Sequence, residues 1–227
     1  MNPGLAEKMD VFINEVDVYP VLSPEFCAGR PLTDIADHVL RGGAKIIQLR
    51  MKNASKREIA DTARKLRAAT AARGALLIVN DHLDIALETG ADGVHLGLDD
   101  TPVEEAAGAA PELIVGASSH SIDEALDAEA AGASYVNIGP IFSTATKNLS
   151  TPPLGIDALR ETGPKLGIPF TVMGGIKRRH IRELVAAGAD RIAMVTEITL
   201  AENPADRTRE IVEMMKDAKR ERRGTAT

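Results

Sequence analysis

Residues Leu113–Lys147 read LIVGASSHSIDEALDAEAAGASYVNIGPIFSTATK. An apolar run opens the stretch, and the polar residues Ser118, Ser119 and His120 end it. Ser121 and Glu124 form an S-x-x-E pair, the signature of a helix N-terminus. The helix is predicted to stop at Gly132, where glycine accepts the left-handed cap conformation. A second apolar run, Tyr135–Ile138, follows at once. It ends in Gly139 and Pro140, with Thr144, Thr146 and Lys147 close behind. Strand, loop, helix, glycine, strand is one βαβ unit. Its strands are continuously apolar rather than alternating, as expected where helices cover parallel strands.

The unit recurs along the chain. Further strands are predicted at Val18–Leu22, Ala44–Arg50, Leu76–Asp81, Gly93–Gly97, Phe170–Gly174 and Arg191–Val195. Helices are predicted between them: Pro31–Gly43 with Thr33 as cap, a long one opened by Ser55 and Glu58 and closed by Gly74, then His82–Gly90, Val103–Ala110, Ile156–Leu166, Ile181–Gly188 and Asp206–Lys219. Glycines mark the helix-to-strand joints at Gly42-Gly43, Gly90, Gly132 and Gly188. Eight such units in about 200 residues fit a single closed (β/α)8 barrel, with a doubly wound open sheet as the alternative. Residues 1–16 then form a short N-terminal extension, and the charged tail 217–227 is expected to fray.

Composition narrows the function. The chain has 227 residues, 44% of them apolar and only 3% aromatic, with no Trp. The core must be aliphatic, and few rings exist to stack on bases. A net charge of −6 without a basic stripe argues against nucleic-acid binding. The lone cysteine, Cys27, cannot form an internal disulfide and reads as a packed thiol. The first residues lack the apolar core of a signal peptide, and the longest aliphatic run, Ala75–Val79, is too short to span a bilayer. A cytoplasmic protein without membrane partners is expected; a homo-oligomer is compatible with the sequence.

In such barrels chemistry gathers at the C-terminal ends of the strands. There the sequence places Gln48, Arg50 and Lys52, then Asn80 and Asp81, His95, Asp99 and Asp100, Ser118 to His120, Thr144 to Lys147, Gly174-Gly175, and Thr196. Chance placement would scatter these groups. Singly, each has a plain reading: Asn80-Asp81 and Asp99-Asp100 as helix starts, His95 as a satisfied core histidine, Gly174-Gly175 as a tight turn. Together they suit phosphorylated small molecules. Glycines let backbone N–H groups approach an anion, and two carboxylates with phosphate oxygens can share a hydrated Mg²⁺.

With Gln48-Leu49-Arg50-Met51-Lys52, Val79-Asn80-Asp81, Gly93–Gly97, Gly116-Ala117-Ser118, Gly139–Lys147 and Gly174-Gly175-Ile176 in this order, the chain resembles the thiamine-phosphate synthases over residues 18–200. The resemblance implies a (β/α)8 transferase of thiamine biosynthesis. Such an enzyme joins a hydroxymethylpyrimidine diphosphate to a thiazole phosphate and releases pyrophosphate, through a largely dissociative step. It implies that Gln48, Arg50, Lys52, Asn80, Ser118 and Lys147 bind the pyrimidine diphosphate, with Arg50, Lys147 and Ser118 catalytic. Asp81 and Asp100 would hold Mg²⁺. Thr144, Thr146, Gly175, Val195 and Thr196 would bind the thiazole phosphate. Three positions depart from the family pattern: Leu98 replaces a usual Gln, Thr196 a Ser, and Glu197 a small neutral residue. A related barrel, a thiazole tautomerase, would need a histidine for proton transfer, for which His120 is the candidate. A non-catalytic phosphate sensor would bind without turnover. The joint presence of diphosphate, metal and phosphate groups favours the synthase.

Overall fold

The computed structural model describes residues 2–144 and 152–225. Its strands are β1 (Val18–Leu22), β2 (Ile46–Leu49), β3 (Leu76–Asn80), β4 (Gly93–Leu96), β5 (Ile114–Ser119), β6 (Tyr135–Ile138), β7 (Phe170–Val172) and β8 (Ile192–Met194). They close in sequence order into an all-parallel barrel, β1 pairing with both β2 and β8. The closed barrel is the expected one, and the open sheet is excluded. Around it lie α2 (Leu32–Arg41), α3 (Lys56–Ala71), α4 (Leu83–Thr89), α5 (Val103–Ala109), α6 (Ile122–Ala130), α7 (Gly155–Thr162) and α8 (Ile181–Ala186). The glycines at the joints serve as expected: Gly43, Gly90, Gly132 and Gly188 all have positive φ.

Because side chains alternate along a strand, each strand feeds two cores. One set, including Ile47, Leu49, Leu77, Val79, Val94, Val115 and Val136, packs outward against the helices. The other set, Tyr19, Ile46, Leu76, Ile78, Ile114, Tyr135 and Ala193, fills the lower barrel interior. That interior is sealed by a helix the sequence reading did not foresee. Within the N-terminal extension, residues 3–14 form α1 (Pro3–Asn14), whose Met9 and Phe12 are buried in the inner core. Arg191 fixes it, donating from Nε to the Phe12 carbonyl at 2.7 Å and from Nη2 to the Ile13 carbonyl at 2.5 Å. These are carbonyls of the last turn, which lack helical partners.

Other corrections are local. The last helix, α10 (Pro204–Thr225), runs on through the segment expected to fray. Ala218 is buried there, and Lys219 pairs with Asp17 at 2.6 Å, so the charged tail is held. Pro31, not Thr33, stands at the N-cap of α2. Ser55 and Glu58 form the full reciprocal capping box. Ser121 caps α6, but Glu124 reaches back to the backbone N–H of His120 instead of Ser121. A one-turn helix, α9 (Thr196–Thr199), follows β8 directly.

Candidate active site

At the C-terminal end of the barrel the inward-facing positions turn polar and line a cavity. Gln48, His95, Ser118 and Asn137 lie deepest, still within their strands. Arg50, Lys52, Asn80, Asp81 and Asp100 form the rim, and Val21, Phe26, Met173 and Val195 give it an apolar wall. Every described residue expected to hold a diphosphate or a metal is therefore on one surface. Among the described residues, the Arg50 side chain makes no hydrogen bond or ion pair, and it faces this cavity.

The rim carboxylates are in direct contact. Asp81 has φ +67°, a left-handed conformation uncommon for a non-glycine residue, and its N–H donates to the His95 carbonyl at 2.8 Å. Its carboxyl meets Lys52 Nζ at 2.5 Å and shares a hydrogen bond with Asp100. Burial pushes the Asp81 carboxyl above the usual range; Lys52 opposes this and the neighbouring Asp100 adds to it. Asp100 is itself raised by burial. It nonetheless sits below the usual range, because it accepts hydrogen bonds from Asp81 and from the Gly97 N–H at 2.7 Å, with Lys52 and His82 nearby. Two touching carboxyls must share either a proton or a cation. Among the described residues no group of three or more metal-ligating His, Cys, Asp or Glu side chains occurs. The donor set is two carboxylates, which suits a cation completed by water and phosphate.

A second, smaller cavity adjoins the first. Thr144, Gly174, Gly175, Lys177 and Thr196 line it, and Met173 and Val195 line both. The Gly pair is dictated by crowding. Gly175 has φ +63°, and a Cβ there would lie 2.3 Å from the Ser143 carbonyl oxygen and 2.9 Å from the Phe142 Cβ. Only glycine lets the loop after β7 pass this close to the loop after β6. The Phe142 N–H donates to the Gly174 carbonyl at 3.0 Å, extending the β6–β7 pairing into both loops. Thr146 and Lys147 lie outside the described residues.

Glu197 adds a negative charge beside this cavity where the family usually carries a small neutral residue. Its carboxylate is instead neutralised, meeting Arg207 at 2.8 Å and Lys177 at 3.5 Å while only 11% exposed. Glu197→Gln removes the carboxylate charge shared by Lys177 and Arg207, Arg207 keeping Glu210 at 3.2 Å, and lowers stability by about 1–3 kcal/mol. Chemical denaturation checks this; an unchanged midpoint would show that the pairs are solvated and weak. Leu98, the other marked departure, is 61% exposed and does not line the main cavity.

Sequence reasoning missed Asn137 and gave His95 no role beyond a core histidine. Asn137 sits in the middle of an apolar strand, and its inward register beside Ser118 was the available signal. It accepts from the Thr171 hydroxyl at 2.8 Å. His95 is a satisfied histidine, as read, but it also lines the cavity and meets Ser118 Oγ at 3.0 Å. His120 is not a cavity residue: Glu124 holds both its backbone N–H and its Nδ1. Cys27 is fully buried, and burial pushes its thiol up, so it is not a nucleophile. No helix among the described residues is long and apolar enough to cross a membrane.

Comparison with known proteins agrees with this geometry. The family model described as thiamine monophosphate synthase matches residues 18–198. The thiamine-phosphate synthase of Shouchella clausii is 39% identical over 202 residues, covering 88% of this chain and 97% of that protein. That of Chlorobium luteolum is 45% identical over 183 residues, covering 80% and 86%. The solved thiamine phosphate pyrophosphorylase of Pyrococcus furiosus superposes with a TM-score of 0.83 at 35% identity, covering 90% of this chain and 98% of that one. A 3-hexulose-6-phosphate synthase, at 21% identity and a TM-score of 0.68, shares the fold alone. A cavity of cations, paired carboxylates and inward polar groups, joined to a glycine-lined second cavity, thus sits where the matched sequence runs, and the chain belongs to the thiamine monophosphate synthase family.

Proposed function

We propose that the main cavity binds 4-amino-2-methyl-5-hydroxymethylpyrimidine diphosphate and the adjoining one binds 4-methyl-5-(2-hydroxyethyl)thiazole phosphate. The chain then joins them to thiamine phosphate, as a transferase that releases pyrophosphate. The observation that carries this reading is that the two cavities share Met173 and Val195. Two phosphorylated substrates seated there meet across an apolar wall with their anionic ends apart.

In the reaction the bond between the pyrimidine methylene and the diphosphate oxygen breaks, its electron pair leaving with pyrophosphate. The thiazole nitrogen supplies the pair for the new carbon–nitrogen bond. No protein nucleophile is needed. Arg50 and Lys52 stand where charge grows on the leaving oxygens, and such preorganised charge is most effective in a water-poor cavity. Gln48, Asn80, Ser118 and Asn137 orient the donor. Thr144, Gly175 and Thr196 hold the acceptor phosphate, so that much of the remaining acceleration is positioning. By resemblance to the family, Thr146 joins them at the acceptor phosphate, and Lys147 joins Arg50 at the diphosphate. Asp81 and Asp100 would hold Mg²⁺, which when bound offsets charge on the departing pyrophosphate. A cytoplasmic setting suits phosphorylated substrates of this kind.

The test supplies purified protein with both substrates and Mg²⁺ and follows thiamine phosphate and pyrophosphate. Absence of product removes the reading. Asp81→Ala is expected to slow turnover at least about tenfold, ~1.4 kcal/mol of barrier. Chelation of divalent metal should stop the wild type reversibly; turnover that persists in chelator would remove the Mg²⁺ assignment.

A further inference from the structure

We infer that a buried hydrogen-bond chain, Gln48–Tyr19–Tyr135–His95–Ser118, makes His95 a positioning residue that presents the Ser118 hydroxyl as a donor to the bound ring. The inference rests on the reading that Gln48 and Ser118 face the pyrimidine.

The chain is continuous. Gln48 Nε2 donates to the Tyr19 hydroxyl at 3.1 Å, and the two tyrosine hydroxyls are 3.0 Å apart. Tyr135 Oη lies 2.9 Å from His95 Nδ1, and His95 Nε2 lies 3.0 Å from Ser118 Oγ. Gln48, Tyr19, Tyr135 and His95 are all less than 7% exposed. Room for the chain is built in. A Cβ at Gly116 would fall 2.2 Å from Tyr135 Cζ, so glycine at that inward position lets the ring cross the barrel. The Tyr135 ring is flanked by Phe12 at 4.7 Å and stacks on the His95 ring at 5.6 Å.

Counting protons ties the direction of the chain to the orientation of the Gln48 amide. Burial holds both tyrosine hydroxyls protonated, so each donates once. The Gln48 N–H takes Tyr19 as acceptor, so the Tyr19 proton goes to Tyr135. The Tyr135 proton then goes to His95 Nδ1. With Nδ1 accepting from Tyr135, the ring proton sits on Nε2, which donates to Ser118 Oγ. The Ser118 O–H is thereby released to the cavity, and the Gln48 amide atom not engaged by Tyr19 is its acceptor, Oε1. One acceptor and one donor match a ring edge with an amino group beside a ring nitrogen. Turning the Gln48 amide over reverses every bond in the chain. The cavity would then offer an N–H and a lone pair, the match for an oxo group beside a ring N–H. The chain therefore reads amino against oxo at a distance from the ring itself.

The experiment combines ¹⁵N NMR of the His95 imidazole with steady-state kinetics on the 4-amino donor and its 4-oxo analogue. The wild type should show the Nε2–H tautomer and prefer the amino donor. In Tyr135→Phe, KM for the donor should rise about tenfold, with preference for the amino ring falling by a similar factor, because a buried partner is lost. The KM for the thiazole phosphate should change less than about twofold, since that site is not on the chain. His95→Gln, whose amide N–H can replace Nε2–H, should restore most of the preference lost in His95→Ala. An Nδ1–H tautomer, or unchanged preference in Tyr135→Phe while Ser118→Ala has lost it, overturns the proposal itself. Unchanged donor KM and preference in Ser118→Ala overturns it through the reading on which it rests. Circular dichroism and melting curves of each variant confirm that the fold is retained.

Discussion

Arg50→Ala lowers kcat/KM by about 10²–10³-fold, ~2.7–4 kcal/mol of transition-state stabilisation, and barely moves the unfolding midpoint. The two halves of this expectation have one cause. Arg50 lines the main cavity, yet among the described residues its guanidinium has no hydrogen-bond or ion-pair partner. Removing it breaks no hydrogen bond or ion pair among the described residues, so stability should change by no more than about 0.5 kcal/mol. Its charge is therefore available to ligand oxygens, and its planar fork suits two of them at once. Arg50→Lys keeps the charge but loses the fork and should fall between wild type and alanine. Lys52 makes up only part of the loss, because its ammonium is shared with Asp81 at 2.5 Å and has no planar fork. The loss should fall mainly on kcat if Arg50 meets charge that grows as pyrophosphate leaves, and on KM if it only holds the ground state. Inhibition by added pyrophosphate should weaken in parallel. A variant with near-normal kcat/KM would remove Arg50 from the reaction.

Why the sequence foretold the barrel and only part of the site follows from what each depends on. Barrel closure depends on repetition: eight apolar runs alternating with helical stretches, several of them closed by glycine, and no single residue decides it. Arg50, Asn80 and Asp81 were readable because polar residues just past an apolar strand must stand at its C-terminal end. Asn137 and His95 were harder. Both lie inside apolar strands, and their inward direction is settled only by register, Asn80 against His95 and Ser118 against Asn137. α1 was missed for a related reason. Its buried residues, Met9 and Phe12, are too few to mark a periodic stripe, and their cover is the mouth of a barrel rather than another helix. The tail of α10 looked like solvated charge because its anchors are distant acids, Asp17 and Asp190. The neutralisation of Glu197 was hidden likewise, since Arg207 and Lys177 reach it only in the fold.

Phe12→Ala should be the most destabilising single change in the chain's N-terminal region, costing about 3–5 kcal/mol. Phe12 is fully buried, its ring lies 4.7 Å from that of Tyr135, and the Arg191 guanidinium sits over it at 5.2 Å. Truncation leaves a void at the closed end of the barrel, and β-strands cannot collapse into it without breaking the pairing that closes the ring. The neighbouring Ile13 is 46% exposed, so Ile13→Ala should change stability by no more than about 0.5 kcal/mol. Denaturant midpoints for the pair separate a plug from a generic helix: equal losses would show that α1 merely rests on the surface. The effect should also reach the site. Phe12 backs the ring whose hydroxyl sets the His95 tautomer, so below its melting point Phe12→Ala should raise the donor KM while sparing that of the acceptor. Ile13→Ala should leave both unchanged. A helix distant from the reacting atoms then matters in two separable ways. It contributes stability by filling the barrel mouth, and it contributes specificity by keeping Tyr135 in the one position where its proton can point at His95.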